Sequence, residues 1–232
     1  MGSESGGTPA SATITRWARL FVITGVGFFV AWHFATLADY PRSATVSLGL
    51  FGFVFHVVFG KAYALVPSYF ARDLAVPRAP SIHLPMAALG TVGAFFGTAV
   101  VGSAALEAAG LFLWFVGCLV FVATIGWTIG DDPTGSETGT GNVDADRKRV
   151  DRVANAVVPL VLAYLFVGSS LALAATLGSL PGLPGLFSLT GPAVTHLLAA
   201  GTATLSSSES GSGSCRVCWP SNPRFRSWSS CS

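Results

Sequence analysis

Four histidines are the residues of this chain best placed to do chemistry, and three of them, His33, His56 and His196, fall inside long apolar runs. Imidazole is a hydrogen-bonding group, a proton carrier and a metal ligand. Inside hydrocarbon an ionisable side chain is costly and marks function by default. His56 stands in the stretch GFVFHVVFGKAYALVPSY, residues 52–69, with Gly52 and Gly60 four residues to either side. On a helix these three positions share one face. The ring therefore lies in a strip cleared of side chains, which suits either a flat macrocycle or the close approach of another helix. His33 has Gly25 two turns before it. Counted at 1.5 Å per residue from the outer ends of the expected spans, His33 lies about 8 Å deep, His196 about 12–15 Å and His56 about 18 Å. His83 is expected at the inner mouth of the third span, near Pro85, facing water or headgroups. Neutral imidazoles on facing helices are ligands for iron or copper. The alternative is packing, in which histidine hydrogen-bonds a neighbouring helix and glycine brings backbones together; Gly93-x3-Gly97 is a motif of that kind.

The elements that position these residues follow from composition. Of 232 residues, 51% are hydrophobic and only 10% charged, against about 25% charged in soluble domains. Mean hydropathy is +0.62. Six apolar runs, near residues 20–38, 44–66, 84–106, 109–130, 153–177 and 186–205, are each close to the roughly 20 residues a membrane helix needs. In lipid the backbone must satisfy its own hydrogen bonds, so they are helices. The expected fold is an all-α polytopic transmembrane bundle of six spans. Its divisions are a mobile tail (1–16), a first half of four spans (17–130), a polar linker (131–151) and a second half of two spans (152–205).

Arg16, Arg19, Arg72, Arg78, Arg147, Lys148, Arg149 and Arg152 fall on one side of these spans and Arg42 on the other. The positive-inside rule places the N-terminus in the cytoplasm and the protein in the cell membrane as a multi-pass species. The first span is too long and wrongly flanked for a cleaved signal peptide. Trp17, Trp32, Trp114 and Trp127 are expected at the interfaces. Nothing in the charge pattern suggests nucleic acid. A polar path through His56, Lys61 and Tyr63 would suit a transporter or channel. Against that, Asp39 and Glu107 lie at outer ends and Asn155 at an inner one, leaving no acidic group deep in a span.

After Leu205 the character changes within one residue, to SSSESGSGSCRVCWPSNPRFRSWSSCS. Cys215-x-x-Cys218 is half of a zinc pattern without its second pair. Serine codons are mostly TCN; shifted by one base they become NTC, which encodes Leu, Ile, Val or Phe. Carried through, the shifted frame allows LLFGVGFRLLPRVLA. Eleven Arg to two Lys point to a GC-rich genome that favours the codons this spelling needs. In that frame the glycine and proline offsets of Gly52, Gly60 and Pro67 recur after Gly201, as an internal repeat would place them. Residues 206–232 are therefore expected to be out of frame, the native sixth span running on and the bundle having about seven spans. Coding DNA that spells no apolar helix over codons 206–220 one base earlier removes this expectation.

With the second half read in the shifted frame, the pattern His196-x4-Gly201-x7-Gly-(apolar)-Gly-Phe-Arg-Leu-Leu-Pro resembles small relatives of subunit I of haem–copper oxidases and nitric oxide reductases. The stretch GFVFHVVFGKAYALVPSYFAR is similar to the same helix type. The resemblance implies a low-spin haem b held by His33 and His196, with His56 as an alternate ligand or pocket residue. It also implies a respiratory-chain or quinol partner and an electron-transfer or sensing role. The family's binuclear centre needs consecutive histidines, which this chain lacks, so oxygen reduction and proton pumping are not expected. The competing classes are a transporter or channel, and a structural or assembly subunit of a membrane complex without cofactor.

Overall fold

A computed structural model describes residues 9–70, 72–131 and 148–178. They form five helices: α1 (Pro9–Leu37), α2 (Arg42–Tyr69), α3 (Ala79–Val101), α4 (Ala104–Ile129) and α5 (Lys148–Leu177). No strand occurs among the described residues. All five carry membrane-length apolar stretches, Thr13–Leu37, Arg42–Tyr69, Ala79–Val101, Ala104–Ile129 and Val157–Leu177, of 21 to 28 residues. At 1.5 Å per residue, lengths of this order cross a hydrocarbon core of about 30 Å. The expected sixth run, 186–205, lies outside the described residues, as do His196 and the stretch 206–232.

Helical bounds differ from the sequence expectation, and at the α3–α4 break local chemistry outweighs hydropathy. α1 is helical from Pro9, the first described residue, inside the stretch expected as a tail. α5 is helical from Lys148, the first described residue after 131, inside the expected linker. The break between the third and fourth spans falls at Gly102–Ser103 rather than after residue 106. Gly102 has φ +64°, a left-handed conformation that glycine adopts without steric cost. Ser103 then caps α4, its side-chain oxygen accepting from the Leu106 N–H at 3.3 Å, with Glu107 in the first turn. Both features favour a helix start.

α3 and α4 make the closest pair, through glycines. A β-carbon on Gly90 would lie 2.5 Å from the Trp114 backbone nitrogen, and one on Gly110 would collide with the Ala94 backbone. One on Gly93 would sit 3.0 Å from the Gly110 Cα, and one on Gly97 would strike Glu107. The Gly93-x3-Gly97 motif thus does the packing expected of it, since close backbone approach is what holds helices together in lipid. Trp114 lies on the same α4 stripe as Gly110, Gly117, Cys118 and Phe121, which turns it into the core. It is 1% exposed, not at an interface as its sequence position suggested. Trp127, 78% exposed, lies on the surface. The core runs through Phe21, Phe51, Phe55, Phe59, Tyr63, Trp114, Phe121, Ile125 and Leu165. At one end of the bundle Arg72 pairs with Asp131 at 2.8 Å.

Candidate functional site

α1 and α2 meet along the face that carries His56. A β-carbon on Gly52 would lie 2.6 Å from the Phe28 ring. One on Gly60 would lie 2.7 Å from the Ala18 carbonyl oxygen and 2.8 Å from the Phe21 Cβ. Conversely, a β-carbon on Gly25 would sit 3.3 Å from the Cβ of His56. Large residues of each helix therefore fill the glycine gaps of the other, at positions 28, 25, 21 and 18 against 52, 56 and 60. The cleared strip beside His56 is occupied by α1, and His56 itself fills the gap at Gly25.

The backbone around His56 explains its ring orientation. Residues Leu48–Val54 are π-helical, a wider turn often found at functional positions. The His56 Nδ1–H donates to the Phe51 carbonyl oxygen, five residues back, at 2.9 Å. Carbonyl oxygen only accepts, so the neutral ring carries its lone pair on Nε2. The ring is 0% exposed, lies between Phe28 at 5.2 Å and Phe21 at 6.0 Å, and its Nε2 has no hydrogen-bond partner among the described residues.

His83 is not at a wet mouth. α3 begins at Ala79 rather than 84 and turns Pro80, His83, Ala87, Gly90, Thr91 and Ala94 inward. The ring is 0% exposed. It is surrounded by Phe59 at 4.5 Å, Phe21 at 5.0 Å, Phe121 at 5.6 Å and Tyr63 at 5.8 Å between ring centres. Its Nδ1 is 3.2 Å from the Tyr63 hydroxyl, and its Nε2 also has no partner among the described residues. Sequence reasoning passed over this residue, although a signal was present: His83, Gly90, Ala94 and Gly97 recur at helical spacing, and glycines mark the packed face. A third unpartnered atom, Trp114 Nε1, sits away from the histidines, beside Phe51 and Phe55.

His33 is placed differently. It is exposed on the outside of α1, its Nδ1–H donating to the Phe29 carbonyl oxygen at 2.8 Å. Phe29 and Trp32 flank the ring at 4.3 and 5.1 Å. Nε2, with the lone pair, remains available to a ligand arriving from outside the helix. Donation from the other ring nitrogen is the usual support of a metal-ligating histidine.

The residues of the suggested transport path separate. His56 and Tyr63 are buried while Lys61 is exposed on another face of α2. Cys118 is buried. No group of three or more His, Cys, Asp or Glu is arranged for a metal ion among the described residues. A planar macrocycle does not fit against His56, whose glycine neighbours already hold Phe28 and Phe21. His33 has an open side and the hydrogen bond to the Phe29 carbonyl. No family model, curated protein or solved structure matches the chain.

Proposed function

We propose that this multi-pass membrane protein binds b-type haem and takes part in electron transfer or sensing, with His33 and His196 as the residues that would hold its iron. The observation that carries the reading is the disposition of His33. A histidine held only for packing turns inward, as His56 and His83 do; His33 points an available Nε2 away from the bundle. Its bond to the Phe29 carbonyl fixes the ring and raises the basicity of Nε2. Phe29 and Trp32 lay apolar surface beside it. When bound, the haem supplies one-electron exchange between ferrous and ferric iron. The resemblance to oxidase subunit I adds a respiratory-chain or quinol partner, and the arginine distribution adds a cytoplasmic N-terminus.

The test is a reduced-minus-oxidised visible spectrum of protein made from a gene with the frame restored after Leu205. A b-type signal lost in both His33→Ala and His196→Ala supports the reading; a folded, colourless protein removes it. The second reading, a structural or assembly subunit, is favoured by the glycine-mediated contacts of α1 with α2 and α3 with α4. It expects the colourless result, with the protein found in a larger membrane complex on native electrophoresis.

A further inference from the structure

We propose that the groove between α4 and α5 binds one acyl chain of an anionic phospholipid, with the headgroup phosphate at the level of Lys148 and Arg152. The groove, of about 370 Å³, lies between Val122, Gly126 and Gly130 of α4 and Pro159, Ala163 and Phe166 of α5. All six are apolar, and residues 122–129 and 159–166 belong to the membrane-length stretches of their helices. The medium at the open side of the groove is therefore hydrocarbon. The other interior glycines of α4 are closed by α3: a β-carbon on Gly110 would collide with Ala94, and one on Gly117 would lie 3.2 Å from the His83 ring. One on Gly126 would meet nothing within 4 Å. Gly126 thus keeps clear a path that no described helix enters.

Length identifies the occupant. From Val122 to Gly130 the groove runs about 12 Å along the helix axis, close to one leaflet of a hydrocarbon core about 30 Å thick. Beyond it Phe115 packs on Phe166, at 6.3 Å between ring centres, and the two helices close. A spanning helix, the run 186–205 included, would find a wall less than half its own length. An acyl chain of one leaflet finds a wall of its full length. Charge identifies the headgroup. Positions 148, 152, 159, 163 and 166 recur at helical spacing, so Lys148 and Arg152 fall on the stripe of α5 that continues the groove wall. Arg152 stands five residues before Val157, where the apolar stretch begins. That is about 8 Å outside the hydrocarbon, in the layer of the phosphates, which Lys and Arg attract. Asp151, the acidic residue of α5, falls instead on the stripe of the buried Val158 and Leu165. Asp131, next to Gly130, is paired with Arg72 at 2.8 Å.

The groove stands on residues separate from His33, so a colourless protein leaves the proposal untouched. The test is native mass spectrometry of the full chain, released from detergent containing equal amounts of phosphatidylglycerol and phosphatidylcholine of the same chain length. One phosphatidylglycerol per chain is expected to be retained, about tenfold over phosphatidylcholine. The double variant Lys148→Gln, Arg152→Gln is expected to bring that ratio to about one. Gly126→Trp fills the groove and is expected to remove the bound lipid, its lipid-free melting temperature staying within about 3 °C of the unaltered protein. Equal retention of the two lipids by the unaltered protein overturns the proposal, and that comparison needs no variant. A ratio unchanged in the double variant, or a lipid still held by Gly126→Trp, also overturns it. So does a larger fall in the melting temperature of Gly126→Trp, which would mean that residues 186–205 or a second copy of the chain already fill the groove.

Discussion

His33 and His56 stand on neighbouring helices and treat one ring nitrogen alike, yet the bundle uses them in opposite ways. Each donates its Nδ1–H to a carbonyl of its own helix, Phe29 for His33 and Phe51 for His56. His33 is then left on the outside of α1, while His56 is closed in by Phe21 and Phe28. The difference lies in the partner helix. α1 is mostly exposed beyond its α2-facing stripe, whereas α2 is packed against α1, α3 and α4. Glycines flanking a histidine announce room; they do not say whether a cofactor or a phenylalanine takes it. At His56 it is phenylalanine.

The largest effect expected from this contrast comes from the glycines of the enclosed region. Gly60→Leu places its first side-chain carbon against the Ala18 carbonyl, which is backbone and cannot swing aside, and against the Phe21 Cβ. Overpacking of this kind costs about 3 kcal/mol or more. Gly27→Leu, on the open side of α1 with nothing within 4 Å, is expected to leave stability within about 0.5 kcal/mol. Thermal melting of the two variants in detergent measures the gap; equal losses would mean that the α1–α2 ladder does not hold α1 in place. Next in size is His83→Ala. It opens a cavity among Phe21, Phe59 and Phe121 and strands the Tyr63 hydroxyl, a loss of about 2–4 kcal/mol in denaturant unfolding. A change under 1 kcal/mol would show that the ring is not packed as described.

The sequence made the helical, membrane-length character legible because apolar runs of this length have few other solutions in lipid. It also marked a packing face on α3, through Gly93-x3-Gly97, without naming α4 as its partner. Hydropathy misplaced the end of α3 by several residues, since the stop is made by the left-handed Gly102 and the Ser103 cap inside a continuous apolar run. That kind of shift also hid His83. With the helix expected to begin at 84, His83 fell at the rim; with the helix beginning at Ala79, it falls one turn inside, on the face shared with Gly90. Depth, which counting residues supplies, is one coordinate. Direction around the helix is the other, and for His33, His56 and His83 it decides which ring is open. Hydropathy carries little of it when every face is apolar.

Smaller effects sharpen the comparison. Tyr63→Phe removes one buried hydrogen bond to His83 and keeps the ring among Phe21, His83 and Phe121. The expected loss is about 1 kcal/mol in denaturant unfolding. A loss as large as that of His83→Ala would mean that the hydroxyl, not the packing of the imidazole, holds this part of the core.

The smallest stability effect belongs to the residue with the largest proposed functional one. His33→Ala removes an exposed ring whose only hydrogen bond described here is to its own helix, and alanine is the better helix former. Stability of the haem-free protein is expected to change by less than about 0.5 kcal/mol. If the same variant abolishes a b-type spectrum, the imidazole is kept for its Nε2 and not for the bundle. A melting loss comparable to that of His83→Ala would reverse the argument: something outside the described residues then covers the α1 face, and His33 is part of a helix contact.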